Sequence, residues 1–234
     1  MSKEFYSDEN FKRMKKLLKE RVPEKRYEHS KRVSKAAEEL SDIYGVDTDK
    51  ARMAGLLHDW DKGLTLNEIR KRVMMYDLDI DPVVVSSMPW LLHGPTAAAA
   101  LKDEFPEIDT DVLQAIARHT SGDRNMTELD MIVYVADLVE PGRKYSNVKE
   151  VRRACGRVSL EELYFLAFKN VLQFLVSQNR PVHPETIEVW NYLVERLKNS
   201  HEEGAYNADT QLEALPSDWV AAERKFGESI RAAE

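Results

Sequence analysis

Four of the six histidines in this sequence, His29, His58, His93 and His119, stand on or beside segments that are otherwise apolar, and Asp59 and Asp137 accompany them. One such histidine alone reads as a core residue hydrogen-bonded to backbone, because buried polar groups find partners. Four of them with two aspartates ask for more, since an ionised carboxylate does not enter an apolar interior unpaired. A divalent cation supplies the compensating charge and takes neutral imidazole as a co-ligand. Mixed nitrogen and oxygen donors suit Fe, Mn, Zn or Co better than Ca. His58 and Asp59 are adjacent, and neighbours on a helix project about 100° apart. At a helix end the imidazole can then bind one ion while the carboxylate bridges two, so the spacing favours a two-metal centre.

The elements that must carry these residues are helices. Apolar residues recur at helical spacing and no convincing run alternates apolar with polar, so the predicted fold class is all-α. Phe11, Met14, Leu17 and Leu18 stripe a leading helix that should stop near Pro23, its basic run from Lys12 to Arg21 facing solvent. Val33, Ala36, Ala37, Leu40 and Tyr44 mark a second helix closed by Gly45, and His29, four residues before Val33, shares its buried face. Ala51, Ala54 and Leu57 mark a third, whose last turn is expected to carry His58 and Asp59, and Leu66, Ile69 and Val73 a fourth, after which Pro82 and Pro89 punctuate the chain.

Ala97 to Leu101 continue a helix beginning at His93, Gly94 or Pro95, since proline is tolerated in a first turn. Val112, Ala115, Ile116 and His119 share one face. Thr127 with Asp130 resembles a capping box for a helix bearing Leu129, Ile132, Val133, Ala136 and Asp137 that ends at Pro141. Ser159 with Glu162 caps another through Leu163, Ala167, Val171 and Phe174, and Glu185 to about Lys198 closes the main body. Gly204 to Pro216 reads as a polar linker, and Trp219, Ala222, Phe226 and Ile230 line one face of a short terminal helix. The expected division is a helical domain at 1–203 and an appendage at 204–234.

Composition removes whole classes of function. A chain of 234 residues with 43% hydrophobic and 32% charged residues is that of an ordinary globular protein, large enough to bury a sizeable core. With 34 Lys+Arg against 41 Asp+Glu, the net charge of −7 argues against an extended nucleic-acid partner or a polybasic membrane binder. The single cysteine, Cys155, excludes an intrachain disulfide. The first residues lack the apolar core of a signal peptide, and no apolar stretch approaches the roughly 20 residues that cross a bilayer. The expected location is the cytoplasm.

Taken in order, His29, His58-Asp59, His93, His119 and Asp137 resemble the H…HD…H…H…D pattern of the HD-domain metallophosphohydrolase superfamily. Within it, the segments ARMAGLLHD at 51–59 and YVADLVEPGR at 134–143 closely resemble the YqeK family, and the match spans roughly residues 10 to 195. Members of that family are symmetrical dinucleoside tetraphosphate hydrolases that split diadenosine tetraphosphate into two ADP with bound iron. The resemblance implies an HD-domain helical bundle with a C-terminal extension and two metal ions, iron first, with Mn, Co or Zn as alternatives. It implies one ion held by His29, His58, Asp59 and Asp137. The second would use His93 and His119, with Asp59 and a water or hydroxide between the two. The substrate would be a dinucleoside polyphosphate or another nucleotide, with no extended nucleic acid, no membrane, and a homodimer left open.

Hydrolysis of a phosphoanhydride needs an aligned nucleophile and compensation for charge on the phosphoryl oxygens, and two metals ~3.5–4 Å apart can provide both. Lys62, three residues after Asp59, occupies the lysine position of the HDxxK arrangement common in HD phosphohydrolases and is assigned, with Asp59, to the catalytic set. Arg143 sits where the resembling family has an arginine near its site, with a structural bridge to Glu140 as the competing role. Thr120, Ser121 and Gly122 bring hydroxyls and a flexible backbone where phosphate oxygens could lie, Thr120 being taken as a substrate contact; an ordinary turn explains them almost equally. Arg118 and Arg124 are weaker candidates. Asp61 caps, pairs with Lys62 or orients a ligand. His183 is first a structural histidine and second an outer-shell or nucleotide contact, and His201 is expected to be exposed and uninvolved. Trp60, Trp90 and Tyr145 either stack on adenine or build the core, and Cys155 is a packing residue. Two alternatives stay open: another HD-domain nucleotide phosphohydrolase or phosphodiesterase, and a non-catalytic, metal-stabilised nucleotide-binding protein.

Overall fold

The structure, a computed structural model, describes residues 2–144 and 148–202, with side chains at 4–144 and 148–197. Tyr145, the His201 side chain and the expected linker and terminal helix at 204–234 lie outside the described residues. The chain divides into two compact units, Met1–Asn191 and Tyr192–Glu234. Among the described residues every regular element is helical: α1 (Ser2–Phe5), α2 (Asp8–Arg21), α3 (Glu24–Tyr44), α4 (Thr48–Leu57), α5 (Leu66–Met75), α6 (Pro82–Ser87), a 3-10 turn (Pro89–Leu91), α7 (His93–Glu104), α8 (Thr110–Arg118), α9 (Glu128–Val139), α10 (Val148–Ala154), α11 (Leu160–Ser177) and α12 (Pro184–Glu202). No helix is long and apolar enough to cross a membrane among the described residues.

The caps explain where these helices begin and end. Thr65 with Glu68, Thr127 with Asp130 and Ser159 with Glu162 each form a reciprocal capping box at the start of α5, α9 and α11. Gly45, at φ 72°, closes α3 in the left-handed conformation that glycine adopts without strain. Pro82 and Pro89, expected to interrupt the chain, instead open α6 and the 3-10 turn, where a missing N–H costs nothing.

In the first unit, α9 is the central helix. Every residue from Leu129 to Ala136 is buried, Asp130 included, as a helix enclosed on all sides must be. Against it pack α3, α4, α8, α10 and α11. The buried faces match the expected stripes: Val33, Ala37 and Leu40 on α3, Ala54 and Leu57 on α4, Val112 and Ile116 on α8 are all fully buried. Where α3 crosses α4, a Cβ on Gly55 would stand 3.0 Å from Ser34 Cα and 3.1 Å from the Val33 carbonyl oxygen, so the bare backbone lets the two helices touch. That contact carries His29 on α3 and His58 at the end of α4 to the same point.

Helix α10 was not expected from periodicity. It is seven residues long, and its Arg152 donates to the carbonyls of Val139 (2.8 Å) and Glu140 (2.6 Å), groups that the end of α9 leaves without helical partners.

Candidate metal centre

Each of the four histidines is held by a hydrogen bond at Nδ1, which turns its Nε2 inward. His58 bonds the Gly55 carbonyl (2.8 Å), His93 the Trp90 carbonyl (2.8 Å) and His119 the Ile116 carbonyl (2.7 Å), in every case three residues back. His58 and His119 cap the C-terminal ends of α4 and α8, so these bonds use carbonyls that helix termination leaves open. His29, inside α3, has no such carbonyl and instead meets the carboxylate of Glu140 at 3.1 Å.

His58 and Asp59 lie just beyond α4, not in its last turn as expected. The chain from Leu57 to Leu64 runs through successive i to i+3 turns, Trp60 to Leu57, Lys62 to Asp59 and Leu64 to Asp61, because it must bend to bring Asp59 and Lys62 to one side. Asp61 anchors the bend. It is fully buried and pairs with Arg21 at 3.2 Å and Arg72 at 2.8 Å, rather than with Lys62.

The six residues expected to act together do meet. Asp59 Oδ2 stands 3.5 Å from His58 Nε2 and 3.8 Å from His29 Nε2, while Oδ1 stands 3.2 Å from His93 Nε2 and 4.0 Å from His119 Nε2. One carboxylate oxygen therefore faces each histidine pair. Asp137 Oδ1 is 3.0 Å from His29 Nε2 and 4.0 Å from His58 Nε2. The nitrogen and oxygen atoms form three overlapping triads spaced for a metal ion: His29, His58 and Asp59; His58, His119 and Asp137; Asp59, His93 and His119.

Two features show that this donor set fits cations. His58 Nε2 is buried without a hydrogen-bond partner among the described residues. His93 Nε2 and His119 Nε2 are 3.0 Å apart, and with both Nδ1 atoms donating to carbonyls these are facing lone pairs, which repel unless a positive charge shares them. The electrostatics agree. Burial, followed by the neighbouring histidines, pushes His119 well below the usual imidazole range. Burial also lowers His93 against the opposing pull of Asp59, which keeps both rings in the neutral form that metals bind. Burial alone would raise the carboxyl of Asp59, yet His58 and His93 hold it well below its ordinary value.

Around this centre stand the cationic and hydroxyl groups. Lys62 Nζ is 3.1 Å from His93 Nε2, and Thr120 Oγ1 is 3.0 Å from His119 Nε2. Arg143 bonds the side chain of Asp137 directly and its carbonyl at 3.0 Å; Glu140, its expected alternative partner, is 3.9 Å away. Arg26, which sequence reasoning passed over, reaches Asp59 Oδ2 at 3.2 Å. Its signal was available: Arg26 lies three residues before His29, on the same side of α3.

Glu140 was also passed over as a site residue. It is 2% exposed and bonds His29, Arg32 Nε (2.6 Å) and the Gly142 N–H (2.6 Å). Burial opposes its charge, but those three donors outweigh burial and bring its carboxyl down to about 2. Its position after α9, in a segment that reads as a simple helix stop, hid the role.

Other candidates fall away from the centre. Trp60 is buried against Phe105 and under the Arg21 guanidinium, 4.4 Å from its ring, and cannot meet a ligand. Arg118 bonds Asp130, Asp123 and the Asn125 carbonyl, and Arg124 pairs with Glu188. His183 Nδ1 accepts from the Glu185 N–H at 3.1 Å at the start of α12. Cys155 is buried, its thiol donates to the Val151 carbonyl, and burial pushes it up to about 12. A thiolate-directed reagent such as an aromatic disulfide is therefore expected to leave Cys155 untouched in the native protein and to titrate it fully in denaturant. Rapid native-state labelling would contradict this.

Beside the centre a chamber of about 420 Å³ opens between α9, α11 and the 3-10 turn, and His119, Thr120, Asp137, Arg143, Trp90 and Arg180 are among the residues that line it.

Residues 26–142 match the HD domain family model. A symmetrical bis(5'-nucleosyl)-tetraphosphatase of Staphylococcus aureus is 37% identical, the match covering 81% of this chain and 99% of that protein. The corresponding Bacillus subtilis protein is 34% identical over 76% of this chain and 94% of its own length. Among solved structures, a Clostridium acetobutylicum protein described as a predicted HD superfamily hydrolase involved in NAD metabolism superposes with a TM-score of 0.73 at 36% identity, covering 80% of this chain and 97% of that one.

Proposed function

Because this chain belongs to the HD-domain family and, within it, to the symmetrical bis(5'-nucleosyl)-tetraphosphatases of YqeK type, we propose that it is a metal-dependent hydrolase that cleaves diadenosine tetraphosphate into two ADP in the cytoplasm. The observation that carries this reading is the convergence of four inward Nε2 atoms on the two oxygens of a single carboxylate, Asp59.

The residues His29, His58, Asp59 and Asp137 would hold one ion, and His93, His119 and Asp59 the other, with iron as the proposed metal. When bound, such ions neutralise charge on phosphoryl oxygens and lower the pKa of water toward neutrality. The chain's own groups do the rest. Lys62, largely buried beside His93, places an ammonium where negative charge grows during phosphoryl transfer. Arg26 and Arg143 set guanidinium donors at opposite sides of the Asp59 and Asp137 carboxylates, and a fork of N–H groups matches phosphate. Thr120 offers a hydroxyl to a phosphate oxygen from the chamber wall. Glu140 fixes the ring of His29 and its tautomer.

A nucleotide panel tests the activity: metal-loaded protein is expected to convert diadenosine tetraphosphate to ADP alone. Faster cleavage of another nucleotide would replace the substrate, and nucleotide binding without turnover above a metal-free control would make the protein a binding module.

The role of Glu140 yields a separate prediction. Glu140→Gln keeps an acceptor for His29 Nδ1 but removes the charge that makes the ring a better donor to metal. Metal titration is expected to show affinity at one of the two sites weakened by about 10- to 100-fold, with turnover recovered at saturating metal. An unchanged isotherm would remove Glu140 from the centre's support.

A further inference from the structure

We propose that Asp61 and Arg72 are positioning residues for the reaction: together they fix the turn at 57–64 so that Lys62 presents its ammonium to the metal centre. The inference rests on the role proposed above for Lys62, and on the packing of the turn for the rest.

The turn has two faces. Asp59 and Lys62 point toward the histidines, whereas Trp60 and Asp61 point away from them, toward α2 and α5. Its backbone is held by single i to i+3 bonds rather than by a continuous helical ladder. A lysine side chain is long and flexible, and among the described residues the Lys62 ammonium bonds the His93 ring alone, at 3.1 and 3.2 Å. Where that ammonium stands therefore depends on where its backbone is fixed.

Asp61 supplies the hold. It is 0% exposed, and Arg72 Nη1 donates to both of its oxygens, at 2.8 and 3.0 Å, while Arg21 Nη2 donates to one at 3.2 Å. Arg21 Nε also donates to the Trp60 carbonyl at 3.0 Å, so α2 grips two consecutive residues of the turn. A Cβ on Gly63 would stand 2.8 Å from the Arg21 carbonyl oxygen, which shows how closely the turn is seated on the end of α2. Burying a carboxylate between guanidiniums adds little stability, since apolar side chains of similar volume often do as well or better. What the ion pairs add is direction: donors on two helices orient one carboxylate, and with it the face that carries Lys62.

Arg72 also links the turn to the other side of the centre. Ile69 and Val73 of α5 share an apolar cluster with Val84, Met88 and Leu92, and Leu92 precedes His93. The chain leaves the centre at Lys62, builds this cluster and returns at His93, and Arg72 ties the cluster to the turn at its base.

Arg72→Met tests this, because it keeps an apolar stem on α5 and leaves Arg21 to neutralise Asp61. Brief acetylation of metal-free protein, read peptide by peptide by mass spectrometry, needs no turnover. Labelling of Lys62 is expected to rise by about tenfold as the turn opens locally, while Lys50, paired with Asp109 and Asp111 elsewhere, labels as before. Arg72→Lys, which keeps the charge without the grip on both oxygens, is expected to fall between. In metal-loaded protein kcat for diadenosine tetraphosphate should drop by about tenfold, since a misplacement of ~1 Å can cost about 10²-fold and Arg21 retains part of the hold. KM and metal content should stay as they were, and in a Lys62→Ala background the same substitution should change kcat less than about twofold. Lys62 labelling that does not change, Lys50 labelling that rises with it, kcat unaltered beside a lowered melting temperature, or the full loss persisting without Lys62 would each overturn the assignment. Wild-type protein that leaves diadenosine tetraphosphate intact, with the labelling pattern as expected, would instead sink the proposed reaction and keep the hold on Lys62.

Discussion

Asp59→Ala is expected to cost the protein its metal complement and nearly all of its turnover. No other residue of the centre presents one oxygen to His29 and His58 and the other to His93 and His119. Its removal therefore weakens both proposed ion positions at once, whereas each histidine is assigned to one proposed position only. The effect on rate should exceed the ~10²–10³-fold that loss of one transition-state hydrogen-bond donor costs, because the charge-neutralising ions leave with the carboxylate. Metal analysis and circular dichroism on the same sample separate this from unfolding: the helical signal should persist while bound metal disappears. Stoichiometric metal with near-normal turnover in a folded variant would end the bridging role.

Lys62→Ala should separate rate from metal binding. The ammonium lies 3.1 Å from His93 Nε2, beside the second proposed ion position. Removing it takes away a positive charge that opposes metal entry, and affinity for metal is expected to hold or rise. Turnover is expected to fall by ~10²–10³-fold, the range for a principal electrostatic stabiliser of developing charge. Metal content and kcat measured together decide the matter. Unaltered kinetics would return Lys62 to a residue that merely covers the end of the turn, and a parallel loss of metal would make it a structural support of the centre.

The fold was largely legible because its buried faces repeat at helical spacing and because the caps are local. Ser159 with Glu162, Thr127 with Asp130 and Gly45 each act within a few residues of their own helix, so sequence neighbours carry the signal. Short elements were not legible. Helix α10 and the turn at Pro89–Leu91 are too brief to show a period, and what holds them is contact with distant chain, such as Arg152 on the end of α9.

The aromatic and polar side chains around the centre divide the same way. Trp60 and Trp90 look alike in sequence, one next to Asp59 and the other three residues before His93, yet Trp60 is sealed in the core and Trp90 lines the chamber. Only the direction of the chain after α4 and before α7 distinguishes them.

Residue order alone dictated that this chain is helical and that ionisable groups on apolar faces require a shared cation, because both follow from local periodicity and from the cost of burying charge. Which oxygen of Asp59 serves which histidine pair and why His29 leans on a carboxylate 111 residues away were settled by packing. Periodicity says that a face is covered without saying by what, and these contacts exist only once α3, α4, α9 and α11 have closed on one another.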